Sequence, residues 1–184
     1  MEFTFHFHNS LAETGLMMAL SRCLGKLEAP PVVLCIGSDL AVGDAMGPIT
    51  GTMLRRKASC CYIYGSLKNP VTAKEVKYVN EFLRRCHPRS KIIAVDAAVG
   101  EGSDIGLLKV VQGPLRPGSG TNKRLGSVGD VSVLGIVAEK SAFSYSLLNL
   151  TRLNLVYSMA EIAAGAIASL TVKDELQFAK CENL

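Results

Sequence analysis

The 184-residue chain predicts an α/β fold, a three-layer α/β/α sandwich around a mostly parallel sheet. The apolar run "VVLCIG" at 32–37 is rich in β-branched residues and reads as a strand buried on both faces, as parallel strands are, and "KIIAVD" at 91–96 reads as a further strand ending on an acid. Stretches with helical periodicity alternate with these runs, the pattern of a layered α/β domain. The composition, 48% hydrophobic and 20% charged with 17 Gly and 7 Pro, suits one globular domain over residues 1–184.

The elements follow in order. "MEFTFHFHNS" alternates His6 and His8 with Phe3, Phe5 and Phe7, as an edge strand or a loose terminus would, and shows no signal-peptide pattern. Residues 9–27 place Leu11, Leu16, Ala19, Leu20, Cys23 and Leu24 at helical spacing, and Pro30-Pro31 stops that helix before the 32–37 strand. A helix is expected over 46–58, with Met46, Ile49, Met53 and Leu54 on one side. Arg55, Arg56 and Lys57 sit at its electronegative end.

"CYIYGSL" is a short strand, and "NPVTAKEVKYVNEFLRRC" is a clear helix. Thr72 and Glu75 have capping-box spacing, and Val76, Val79, Leu83 and Cys86 share a face. The 91–96 strand ends on an acid. Strands at 105–111 and 130–138 have no helix between them, which predicts one antiparallel pair joined by the glycine-rich loop 113–129. Residues 141–172 read as one or two helices. Asn154, Ser158, Glu161 and Gly165 interrupt the apolar stretch 153–172, so it is expected to be a core helix and not a membrane span.

The bulk chemistry narrows the function classes. Twenty Lys and Arg against sixteen Asp and Glu give +4, short of what nucleic-acid binding demands, so neither nucleic acid nor membrane is an expected partner. The six cysteines contain no CxxC pair or zinc spacing, which points to a reduced, cytoplasmic protein. His6, His8 and His87 lie far along the chain from the acidic loops, so no metal and no cofactor is expected.

Ligands of an open parallel sheet collect outside the carboxyl ends of its strands. Asp96 directly follows "KIIAV", and Asp44 follows "VVLCI" by a short loop, "GSDLAVGDAMGP". If their strands are neighbours, the carboxyl groups face one another, share a proton and can serve as base and acid on a water and an amide. Asp44 as a helix cap and Asp96 as a partner for loop backbone are the alternatives at this point. The loop "GPLRPGSGTNKRLGSVGD" contains Ser119, Asn122, Lys123 and Arg124. It reads as an anion cradle or as a solvated turn, and it matches neither GxxxxGK[ST] nor GxGxxG.

Four ordered blocks, "GSDLAVGDAMGP", "GSLKNPVTA", "IIAVDAAVG" and "PGSGTNKRLGSVGDVSVLGIV", resemble the YyaC-type sporulation proteins of endospore-forming bacteria. They are also similar to the catalytic core of the germination protease, which degrades small acid-soluble spore proteins, and more distantly to the hydrogenase-maturation endopeptidases. The resemblance implies a phosphorylase/hydrolase-like fold and an aspartic-type endopeptidase site. The two acids of that site fall on Asp44 of "DAMGP" and Asp96 of "VDA". With them, Ser119, Asn122, Lys123 and Arg124 are expected to bind substrate or stabilise an oxyanion. The chain departs from the maturation endopeptidases in having no histidine after His87, where those enzymes carry one that helps to bind nickel.

The expectation is therefore a sporulation-associated peptidase acting on a protein or peptide, a spore protein in the first instance, in the cytoplasm of the forespore or sporulating cell. Homo-oligomerisation stays open. The alternatives are a non-catalytic regulatory protein that keeps the pocket, and a metal-dependent maturation endopeptidase.

Overall fold

The computed structural model describes residues 1–57, 59–116, 126–140 and 148–181, with side chains through 172. In chain order the elements are β1 (Glu2–His6), α1 (Ala12–Leu24), β2 (Val32–Cys35), a 3-10 turn (Val42–Ala45), α2 (Met46–Leu54) and β3 (Tyr62–Tyr64). Then come α3 (Val76–Cys86), β4 (Ile92–Gly100), β5 (Leu107–Gln112), β6 (Val131–Glu139) and α4 (Leu153–Cys181). The six strands form one sheet in the order β1-β5-β6-β4-β2-β3. Strands β3, β2, β4 and β6 run parallel, while β5 pairs antiparallel with β6 and with β1.

Strand alternation divides the core in two. Val33, Cys35, Ile93, Val95, Leu108, Val110, Val131 and Val133 face α1, α2 and α4. Val32, Leu34, Ile36, Ile92 and Ala94 face the other way, against Val76 and Leu83 of α3. The fold is thus a three-layer α/β/α sandwich. The amino-terminal segment forms an edge strand, with Phe3 and Phe5 packed inward and His6 exposed.

Several boundaries move. Strand β4 runs four residues past Asp96, paired with β6 as far as Gly100, so this acid lies within a strand and not at its end. The capping box before α3 is half formed. Glu75 accepts hydrogen bonds from the Thr72 backbone N–H at 2.8 Å and from its hydroxyl at 2.9 Å, but the Glu75 N–H bonds to the Thr72 carbonyl. That turn delays the helix to Val76.

Helix α4 contains a window long and apolar enough to cross a membrane, but 61% of that window is buried within the protein. Its Val156, Met159, Ala160, Ala163, Ala164 and Ile167 belong to the main core.

Helix α2 approaches the sheet at backbone contact distance. A Cβ on Gly47 would fall on the Ile36 carbonyl oxygen, and one on Gly51 on the Gly65 carbonyl oxygen. Since both obstacles are backbone, neither can rotate away. Gly47→Ala is therefore expected to destabilise the protein by roughly 1–3 kcal/mol, the usual cost of overpacking, read as a lower urea midpoint. A neutral substitution would show that α2 has room to lift.

Candidate active site

The segment after β2 is built from tight backbone bonds. The Ile36 N–H donates to the Val95 carbonyl at 2.8 Å, the last link between β2 and β4, and the Gly37 N–H then turns to the Val71 carbonyl at 2.9 Å. Gly37 has φ +135, and a Cβ there would land on the Asp44 carbonyl oxygen. That approach lets the Ser38 N–H reach the same oxygen at 3.1 Å, while the Asp44 N–H donates to the Ala41 carbonyl at 3.0 Å. Gly37 is thus needed to fold residues 38–45 back over the tip of β2.

Asp44 is carried in the 3-10 turn. No side chain caps α2, whose N-cap position is Ala45. The cap reading of Asp44 is therefore excluded.

Asp96 is only 6% exposed and accepts a hydrogen bond from the Ala97 N–H at 2.9 Å. Burial pushes the Asp96 carboxyl well above the usual carboxylate range, the negative charge of Asp44 pushes it further, and the Ala97 bond opposes both. Asp44 is raised to about 6, chiefly by burial, with a hydrogen bond from the Ser38 backbone acting against it. The charge of Asp44 thus bears on Asp96, 52 positions away in the chain. Among the described residues neither forms an ion pair.

Beyond the end of β2, β4 continues through Ala97–Gly100, half-exposed, with β6 on one side. Among the described residues no strand pairs with its other edge. Beside the turn lies a mainly apolar cleft of about 350 Å³. Val42, Ala45, Ile49, Met53, Leu153 and Tyr157 line it, with Asp39 and Arg56 as its charged members. It flanks the turn that carries Asp44, but neither aspartate lines it.

The other sequence candidates fall elsewhere. Ser119, Asn122, Lys123 and Arg124 lie outside the described residues. Asp104 is held by Lys109 at 3.0 Å and Glu101 is exposed. His87 is hydrogen-bonded through Nε2 to the Tyr64 hydroxyl at 2.7 Å. Among the described residues no three His, Cys, Asp or Glu side chains converge as a metal site would require. The cleft escaped the sequence reading because α2 and α4 assemble it from opposite ends of the chain. Its faint signal was Tyr157, a half-exposed ring in an otherwise alanine-rich helix.

The family described as "Protein of unknown function (DUF1256)" matches residues 4–166. The chain belongs to this family. It is 38% identical over 164 residues to the uncharacterized protein YyaC of Bacillus subtilis (strain 168), covering 89% of this chain and 78% of that protein. Among solved structures, the [NiFe] hydrogenase maturation protease HycI from Thermococcus kodakarensis KOD1 superposes with a TM-score of 0.45 at 18% identity. The match covers 80% of this chain and 97% of that one. A likeness at that level says nothing about activity.

The raised acids leave a thermodynamic mark on this family member. A carboxyl raised on folding contributes its full stability below the unfolded value near 3.8 and loses it as the pH climbs through the folded value, about 6 for Asp44. Ionised and half-buried, Asp44 weakens the fold at high pH. Asp44→Asn is expected to stabilise the protein at pH 8 by roughly 1–3 kcal/mol, with the gain vanishing near pH 4. Urea unfolding at the two pH values measures this, and equal stability of both proteins at pH 8 would contradict it.

Proposed function

We propose that this protein is a peptidase of the paired-aspartate type, acting on a spore protein in the cytoplasm of the sporulating cell. What supports the reading is that both acids are raised by burial and that the charge of Asp44 raises Asp96 further. At neutral pH Asp44, raised to about 6, is mostly ionised, while burial and the Asp44 charge both favour the protonated form of Asp96. One base and one acid side by side are what amide hydrolysis requires.

In the proposed reaction Asp44 takes a proton from a water, whose oxygen attacks the peptide carbonyl carbon. Asp96 first polarises the carbonyl oxygen through its acidic proton, then delivers that proton to the leaving amine as the C–N bond breaks. Transfer of the proton gained by Asp44 to Asp96 restores the starting state.

The edge of Ala97–Gly100, unpaired among the described residues, supports an extended peptide as substrate, since a strand added there would run directly past Asp96. The neighbouring apolar cleft has the volume and lining for an apolar substrate side chain. The resemblance of the four sequence blocks to the germination protease supports a spore protein as the target.

The test incubates the purified protein with a spore-protein extract and maps new chain termini by mass spectrometry. Wild type is expected to generate internal termini at a rate that rises through about pH 6 and falls once Asp96 ionises. Asp44→Asn and Asp96→Asn are expected to generate none while keeping the wild-type circular dichroism. Extract proteins retained without new termini would favour the non-catalytic regulatory reading and overturn this one.

A further inference from the structure

The net charge of +4 conceals a strong segregation. Residues 55–91 hold ten of the twenty Lys and Arg but only two of the sixteen acids, a local net of +8. Arg55, Arg56 and Lys57 follow α2 on one face of the sheet, while Lys68, Lys74, Lys77, Arg84, Arg85 and Arg89 lie in the β3–α3 loop, on α3 and just after it, over the β3 edge and the other face. Among the described residues only Arg84 of these ten cations is in a salt bridge, with Asp130 at 2.9 Å. Lys57, Lys68, Lys74, Lys77, Arg85 and Arg89 are exposed.

A chain of rings runs through the same surface. Tyr78 and Phe82, one helical turn apart on α3, are 71% and 51% exposed, whereas the core anchors of that helix are Val76 and Leu83. The Phe82 ring meets Tyr64 of β3 edge-on at 6.1 Å. Tyr64 lies 5.7 Å from the His87 ring, which packs at 4.0 Å on Tyr62, itself 44% exposed. Exposed aromatic area of this extent is uncommon where nothing covers it.

We infer that this α3–β3 surface binds single-stranded nucleic acid, its cations following the phosphates and Tyr78, Phe82 and Tyr62 stacking on bases. An acidic polypeptide would satisfy the cations but offers ring faces only where it carries aromatic side chains, whereas every nucleotide offers one. A duplex offers phosphates but hides its base faces, so a single strand alone uses both features. The site is independent of hydrolysis, because neither Asp44 nor Asp96 is among its residues. It also departs from the expectation drawn from net charge, which averages a basic segment with an acidic remainder.

The test is fluorescence anisotropy of a labelled oligothymidylate titrated with the full chain at increasing salt. Saturable binding is expected, weakening linearly in log Kd against log salt. Arg85→Glu with Arg89→Glu should remove it. Tyr78→Ala with Phe82→Ala should weaken it by about tenfold or more while leaving the salt slope unchanged. Circular dichroism confirms that these surface variants fold. The inference is overturned if wild type fails to bind the oligonucleotide, if a duplex binds as tightly, or if polyglutamate competes equally and the ring variant binds like wild type.

Discussion

Helix α2 rests backbone on backbone against the ends of β2 and β3, and the candidate site follows from that contact. Gly47 and Gly51 give the helix no side chain with which to stand off from the Ile36 and Gly65 carbonyls. The 3-10 turn leading into α2 is consequently pressed over the tip of β2, with Asp44 inside it. The same crowding diverts the chain after Ile36 toward Val71, so β2 ends while β4 continues. A ledge is left on β4, and Asp96 stands at its start.

The acids on this ledge are treated unlike the other acids of the fold. Asp130 receives both Arg84 guanidinium nitrogens, at 2.9 and 3.2 Å, and the Ile92 N–H at 2.7 Å. Asp104 has Lys109. Asp44 is half-buried and Asp96 buried, each with one backbone hydrogen bond, and Asp96 has the Asp44 charge as a neighbour. Carboxylates that serve only to hold a fold tend to be neutralised by cations or by several donors. Two acids left raised in this way weaken the fold as the pH climbs through their folded values, and perturbed acids of this kind cluster at functional sites.

Much of this was legible in the residues. The run at 32–37 declared a buried strand because both its faces are apolar, the run at 91–96 declared a further strand, and alternation of Phe with His marked β1 as an edge. The far half of β4 was not legible, since "AAVG" carries little of the β-branched signal and is held in the sheet by β6 alone. The true start of α3 was hidden by good helix-forming residues at 73–75, which the Thr72–Glu75 turn uses first. Asp44 and Asp96 could be picked from their places after strands, but their meeting depended on which strands are neighbours. Strand order is a tertiary fact. The loop residues Ser119, Asn122, Lys123 and Arg124 lie outside the described structure, so their part in the site stays with the resemblance that proposed it. The basic, aromatic segment 55–91 was plainly written, but a whole-chain charge could not express it.

The central claim is that Asp44 and Asp96 titrate as one coupled pair. Carbon-detected NMR of the aspartate carboxyl groups against pH, in wild type and in Asp44→Asn, tests it most directly. The account predicts that Asp44 titrates near 6 and Asp96 well above the usual carboxylate value, and that Asp96 moves down once its neighbour no longer carries charge. Two ordinary titrations near 3.8, or an Asp96 curve indifferent to the substitution, would contradict it.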